Sequence, residues 1–233
     1  MSAIRVAIAD DHQLFCSGIQ MLIESQPDLE FAGAAYDGEA AVALAYEARA
    51  DVVLMDIRMP GLDGIEATAR IVGAPDAANA ERSQDDDAAS LQAHPKIIML
   101  TTFQRDEAVV RAIQAGADGF LVKDATPEFV LAAIRAVHAG HSVIAPSDTV
   151  DIIRAQASRR DKEANPEAIA ALSAREKEVF LLAARGLSNA EIAQTAFIGE
   201  TTVKSHIRSI LAKLSLNSRV QIVAHAYENG LVR

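Results

Sequence analysis

Short apolar runs alternate with segments of helical spacing along the first 140 residues. Ile4–Ala9 is the first run and ends at Asp10-Asp11. Gln13–Glu24 then places Leu14, Ile19, Leu22 and Ile23 where a helix can gather them on one face. The same alternation predicts strands at Phe31–Ala35, Asp51–Asp56, Lys96–Leu100 and Gly119–Val122, with helices at Glu39–Ala48, Gly64–Val72, Glu107–Ala115 and Pro127–Ala139. Five continuous apolar strands separated by helices imply a doubly wound α/β fold, a five-stranded parallel sheet covered on both faces.

The rhythm then changes. From Ser173 on, every signal is helical. Ser173-Ala174-Arg175-Glu176 and Ser188-Asn189-Ala190-Glu191 both read as capping boxes, a Ser and a Glu three apart. Gly186 closes the first of these helices, with Leu187 as the apolar residue after it. Gly199 precedes a helix at about Glu200–Leu214, and a last one spans Ser218–Asn229. The predicted organisation is an α/β domain over 1–140, a linker over 141–167 and a small all-α domain over 168–233. A polar, Ala-rich connection at 73–95 is long for a helix-to-strand link and reads as a solvated loop. The linker holds a short helix signal after Pro146-Ser147 and a charged run, Ser158–Glu163.

Charge sharpens this division. The net charge is −10, yet residues 1–165 carry 14 Lys+Arg against 26 Asp+Glu, whereas 166–233 carry 8 against 6. An acidic front and a mildly basic back suggest two tasks on one chain. A single cysteine, Cys16, rules out an internal disulfide and fits a reducing compartment. The N-terminal apolar run is too short for a signal peptide, and no stretch approaches the roughly 18 apolar residues of a membrane span. The expectation is a soluble cytoplasmic protein that does not engage membranes.

The candidate chemistry lies where the strands end, since ligands of doubly wound sheets bind beyond the carboxyl ends. Asp10 and Asp11 follow the first strand, and Asp56 ends the third, immediately before Ile57-Arg58-Met59-Pro60-Gly61. Three gathered carboxylates raise one another's pKa, and a hard divalent cation relieves them; an all-oxygen set suits Mg²⁺. Thr101-Thr102 ends the fourth strand and Lys123 follows the fifth. Carboxylates, a hydroxyl, a lysine and a metal make a phosphoryl-transfer site, in which a carboxylate can itself be the acceptor.

In the all-α part, Val203, Ile207, Ile210, Leu211 and Leu214 form one stripe of the third helix, while Thr201, Lys204, Ser205 and Arg208 lie on another. Short hydroxyls beside cations suit phosphates and base edges, and a helix-turn-helix would present them so. By pattern alone, a solvated face and a reading face stand level.

These residues carry a resemblance. Residues 1–125 resemble the receiver domain of two-component response regulators through Asp10-Asp11, Met55-Asp56-Ile57-Arg58-Met59-Pro60, Thr101 and Lys123. The segments 172–179, 186–193 and 202–207 resemble the LuxR-type DNA-binding domain, and the pair resembles the NarL/FixJ class of regulators. The resemblance implies a flavodoxin-like receiver in which Asp56 takes a phosphoryl group from a sensor histidine kinase. It implies Mg²⁺ held by Asp11, Asp56 and the backbone carbonyl of Arg58, with Asp10 helping through water. Thr101 would bind the phosphoryl oxygen, Lys123 would pair with it, and Phe120 would be the aromatic switch. It further implies promoter DNA as a partner, read by Thr201, Thr202, Lys204, Ser205, His206 and Arg208. The protein would form a homodimer on phosphorylation or DNA binding, with RNA polymerase as a further contact. Such a protein is no turnover enzyme, although it would lose its own phosphoryl group by autodephosphorylation. The chain departs from the pattern in its long 73–95 connection, in Asp124 where many receivers have proline, and in Ala196 where a larger apolar residue is common.

Rival readings fare less well. Aspartyl phosphohydrolases on similar sheets have a second Asp two residues after the nucleophile, where this chain has Arg58. No Walker-type nucleotide loop is present. A ligand-sensing regulator would want an apolar pocket, usually aromatic-lined, and 4% aromatic content with no Trp gives little sign of one. A receiver that switches without phosphate stays open.

Overall fold

The computed structural model describes residues 3–73, 94–101, 106–141 and 165–232. Most of the long connection, Thr102 and most of the linker, with its helix signal and its charged run, lie outside the described residues.

Five strands form one parallel sheet in the order β2-β1-β3-β4-β5, with β1 at Ile4–Ala9, β2 at Leu29–Ala35, β3 at Val52–Asp56, β4 at Lys96–Thr101 and β5 at Gly119–Val122. Strand alternation divides the core between the faces. Val6, Ile8, Leu54, Ile98, Leu100 and Leu121 pack beneath α1 (Gln13–Glu24) and α5 (Pro127–His138). Ala7, Ala9, Val53, Met55, Ile97 and Met99 pack beneath α2 (Gly38–Glu47), α3 (Gly64–Gly73) and α4 (Asp106–Ala115). Strands buried on both faces explain why their sequences read as apolar runs rather than as alternation.

Two sequence expectations shift. The second strand starts at Leu29, two residues before the expected Phe31. Exposed Glu30 interrupts the apolar run, but Leu29 is buried and pairs with Ile4. The register slips between Val6 and Ala7, and Gly33 absorbs it at φ 144°, where a Cβ would come within 2.8 Å of a Leu44 methyl. In α1, Leu14 does not join Ile19 and Ile23. It is 87% exposed, and Cys16 takes the buried place instead, because 16, 19 and 23 share one face whereas 14 lies with 18 and 22.

The C-terminal unit opens with a 3₁₀ turn at Pro166–Ile169 and continues through α6 (Ala174–Ala184), α7 (Asn189–Ala196), α8 (Glu200–Leu214) and α9 (Arg219–Glu228). Both expected capping boxes form, at Ser173/Glu176 and Ser188/Glu191. The stripe expected on the third helix is its buried one: Val203, Ile207 and Ile210 meet Val179, Phe180, Ile192 and Ile222 in a single core, with Leu211 and Leu214 at its margin.

Candidate phosphoryl and DNA sites

Strand register explains why the acidic residues meet. Ala9 pairs with Met55, so the next residue of each strand, Asp10 and Asp56, emerges side by side at the carboxyl edge. Asp56 pairs with Leu100 and Thr101 with Val122, and Lys123 N–H bonds the Thr101 carbonyl at 2.9 Å. Asp10, Asp56, Thr101 and Lys123 therefore stand on adjacent strand ends, while Thr102 lies outside the described residues.

At the centre, the Lys123 ammonium lies 2.7 Å from Asp10 Oδ2 and donates to Asp56 Oδ2 at 2.9 Å. All three side chains are nearly buried. Burial raises the Asp56 pKa, and Lys123 only partly opposes this. Burial alone would lower the Lys123 pKa, but its contacts with Asp10 and Asp56 hold the ammonium above its ordinary value. Phe15 faces the same ammonium, its ring centroid 5.4 Å away.

The balance is incomplete. Ligand atoms of Asp10, Asp11, His12 and Asp56 all lie within 4.8 Å of one another. Lys123 pairs with Asp10 and Asp56, while Asp11 meets His12. Asp10 is fully buried, and its Oδ2 makes no aligned hydrogen bond despite the nearby ammonium. Such an oxygen-rich, under-neutralised cluster fits a hard divalent cation. The backbone N–H of Arg58 also bonds Asp56, while the Arg58 side chain is exposed. Gly64 begins α3 directly against Asp56, where a Cβ would stand 1.8 Å from the Asp56 carbonyl oxygen. Glycine is therefore required for the loop to close beside Asp56.

Phe120 points inward and is buried, sharing a cluster with Met99, Ala112 and Ile113 under α4. His12 was missed by sequence reasoning: its Nδ1 lies 2.8 Å from Asp11 Oδ1 and 3.3 Å from Asp10 Oδ1. Its position directly after the acid pair was the available signal. The expected lack of an apolar pocket also fails. A groove of about 630 Å³ runs between α1 and α5 beside Lys123, lined by Leu14, Phe15, Ile19, Leu22 and Val130 among others. Most of its lining is aliphatic, with Phe15 and His12 the aromatic rings, so low aromatic content was the wrong guide.

In the C-terminal unit, α8 projects Thr201, Thr202, Lys204, Ser205 and Arg208 to solvent, with His206 half-buried. Its N-terminus follows a tight turn in which Phe197 adopts a left-handed conformation and is 94% exposed. The pose of α8 is set by Glu176. That carboxylate accepts from Ser173 N–H at 2.7 Å, from the Ser209 hydroxyl at 2.5 Å and from Lys213 at 2.9 and 2.7 Å. Lys213 first, then Ser209 and Ser173, hold its pKa well below the usual carboxylate range. Sequence reading identified Glu176 as a cap but not as the tie between α6 and α8. Arg219, likewise missed, is buried at the start of α9 and donates to Asn189 Oδ1 at 2.8 Å and to the Leu187 carbonyl. Among the described residues, no helix is long and apolar enough to cross a membrane.

Comparison with known proteins agrees with both halves. The sequence model of the response regulator receiver domain matches residues 6–80, and that of bacterial regulatory proteins of the luxR family matches residues 170–226. The transcriptional regulatory protein YxjL of Bacillus subtilis is 37% identical over 231 residues, spanning 99% of this chain and 98% of its own. The response regulator protein VraR of Staphylococcus aureus is 34% identical over 230 residues, spanning 99% of both chains. A LuxR-family two-component response regulator from Aurantimonas sp. SI85-9A1 superposes with TM-score 0.53 at 29% identity, covering 66% of this chain and 98% of that one. The RcsB response regulator of Salmonella typhimurium shares the fold, with TM-score 0.52 at 23% identity over 96% of this chain and 97% of that one. With a parallel-sheet receiver and a LuxR-type helical domain on one chain, this protein belongs to the response regulators that act as DNA-binding transcriptional regulators.

Proposed function

We propose that Asp56 accepts a phosphoryl group from a sensor histidine kinase and that this controls how α8 engages promoter DNA. The observation that carries the reading is the trio Asp10, Asp56 and Lys123, gathered at the edge of the sheet with carboxylates in excess. A carboxylate oxygen of Asp56 would attack phosphorus, while the nitrogen–phosphorus bond of the kinase phosphohistidine breaks and the imidazole keeps the electron pair. Asp10, Asp11, Asp56 and the Arg58 carbonyl would hold Mg²⁺. Bound there, the metal supplies positive charge that keeps Asp56 ionised and offsets the phosphoryl oxygens. Thr101 receives one of those oxygens, and Lys123 exchanges its Asp56 contact for another. Phe120 follows Thr101 and repacks the cluster under α4. Water at the same site returns Asp56 to its free form, which is autodephosphorylation rather than turnover of a substrate.

Thr201, Thr202, Lys204, Ser205, His206 and Arg208 form the reading face in this account. The chain works in the cytoplasm as a homodimer on DNA, with RNA polymerase as a further contact. The units are a receiver over 1–140, a linker over 141–167 and a DNA-binding domain over 168–233.

Phosphorylation adds about −1.5 to −2 charge to an already acidic receiver. Direct electrostatics would push DNA away, so the gain must come from a two-state rearrangement that phosphate favours. The test is selection of sheared source DNA by the purified chain, with and without acetyl phosphate and Mg²⁺. Discrete fragments should be enriched, and more strongly with the donor. Equal enrichment under both conditions would instead favour a regulator that switches without phosphate.

A further inference from the structure

The turn that joins α7 to α8 differs from the ends of α6 and α9. After Ala196 the chain reverses through one left-handed residue, Phe197, at φ 55° and ψ 47°. The reversal lets the Ile198 N–H bond the Ala193 carbonyl at 3.0 Å and brings Ile198 against the helical core. Gly199 then starts α8 as its N-cap, and Arg175 of α6 steadies the turn by donating to the Ala196 carbonyl. Glycine adopts such a conformation at no steric cost, and glycine supplies it after α6 (Gly186) and after α9 (Gly230). A bulky side chain in that conformation is an outlier.

Folding does not call for an aromatic ring at this place. Phe197 is the most exposed large apolar side chain among the described residues, whereas Phe180, the other phenylalanine of the C-terminal unit, is fully buried in its core. Strained non-glycine backbone of this kind gathers where a ligand is held. The place along the chain indicates which ligand. A recognition helix enters the major groove by its N-terminal residues, so the turn before it stands at the lip of the groove, where one sugar-phosphate strand passes. Thr201 and Thr202 are exposed on the first turn of α8, directly after this turn. Glu200 is exposed there too, and its charge opposes a phosphate contact. An apolar contact with the carbon edge of a deoxyribose suits the position better than an ionic one.

We propose that Phe197 is a DNA-contact residue whose ring packs on a deoxyribose at the lip of the major groove, and that this contact sets how deeply α8 enters the groove. This rests on the reading of α8 as the helix that engages DNA. Water leaves the ring when DNA covers it, which offsets the exposure and the backbone strain carried by the free chain. The contact involves no charge and no base edge. It therefore adds affinity on every sequence without adding to the salt dependence, unlike Lys204 and Arg208 on the same helix.

The test uses the full chain with acetyl phosphate and Mg²⁺. Phe197→Gly and Phe197→Asn keep a residue that accepts the left-handed turn and remove the ring, whereas Phe197→Tyr keeps the ring. Binding to a fluorescent mixed-sequence duplex is titrated at several salt concentrations, and thermal unfolding is followed in parallel. The Gly and Asn variants should bind about tenfold more weakly, the scale expected for covering much of one aromatic ring. Their melting temperatures should not fall, and their slope of log affinity against log salt should match wild type. The Tyr variant should bind as wild type does. Undiminished binding by the Gly and Asn variants would overturn the proposal, and lost self-association on sedimentation would then assign the ring to a second copy of the chain. A loss of binding that tracks a lower melting temperature would make Phe197 a structural residue and would overturn it as well. So would a shallower salt slope, which would mean that phosphate contacts had been disturbed. Lys204→Ala separates this inference from the reading beneath it. Weaker binding by that variant alone removes Phe197 from the interface, and a wild type that takes up phosphate but binds no duplex removes the DNA reading itself.

Discussion

Two lysine–carboxylate clusters of the molecule look alike in composition and differ in balance. In the C-terminal unit, Lys213 meets one carboxylate, Glu176, whose oxygens are also taken by Ser173 N–H and the Ser209 hydroxyl. In the receiver, Lys123 meets Asp10 and Asp56, with Asp11 beside them, and one oxygen of fully buried Asp10 lacks an aligned donor. The first cluster is saturated and acts as a strut between α6 and α8. The second is short of positive charge, which a bound metal would supply. Lys96 with Asp118 follows the strut pattern, since the Asp118 carboxylate takes both the ammonium and Ile97 N–H. Unmet charge distinguishes these clusters more sharply than burial or residue type does.

The largest effect should come at Asp56. Asp56→Asn should reduce phosphoryl labelling by acetyl phosphate to background, as should removal of Mg²⁺ from wild type. Because the substitution removes one of three crowded carboxylates, the folded chain should be no less stable to heat. Label that persists in the variant would move the acceptor elsewhere and erase the contrast between the clusters.

Next come the two lysines. Lys123→Ala strands two nearly buried carboxylates, a loss of about 3–5 kcal/mol for an unpaired buried charge. Added Mg²⁺ should recover part of it, because the metal supplies the missing charge. Lys213 is 41% exposed and leaves Glu176 with two other donors, so Lys213→Ala should cost about 1 kcal/mol or less and show no metal dependence. Thermal unfolding with and without Mg²⁺ measures both, and equal losses would show that charge balance does not distinguish the clusters.

How much of this was visible in the sequence depends on range. Strand ends and caps are local, so Asp56, Lys123 and the two capping boxes could be read directly. Register is not local. That Asp10 stands beside Asp56 follows from the pairing of Ala9 with Met55 across more than forty residues, and here sequence reading leaned on the order of strands. Contacts between units carried no signal. Ser218 and Gln221 look like an ordinary N-cap and an ordinary polar residue until Ala117 and Ile113 are placed against them. Leu14 shows the limit of helical spacing, which finds an apolar face without saying whether the fold covers it.

Glu176 gives a smaller effect that depends on pH. Its folded pKa lies below the unfolded value of 4.5, so it contributes stability above that value and loses it as pH falls toward the folded pKa. Wild type should therefore lose heat stability on acidification below about pH 5 more steeply than Glu176→Gln. Parallel curves for the two proteins would mean that the carboxylate does not hold its charge in the strut.

The smallest effect probes the open face. Lys204 is exposed, unlike Lys123, and stands on α8 among the hydroxyls of Thr201 and Ser205. Its substitution should leave phosphoryl labelling and thermal stability unchanged. What it alters depends on what it touches. If Lys204 meets a phosphate, Lys204→Ala should weaken binding evenly across sequences and lower the slope of log affinity against log salt by about 1. If it reads a guanine edge, the salt slope should hold while discrimination at one base pair falls by about 1–3 kcal/mol. The two outcomes separate on a pair of DNA fragments differing at one position, titrated at two salt concentrations. An unchanged slope together with unchanged discrimination would remove Lys204 from the interface and shift the reading face toward Arg208 and the end of α8.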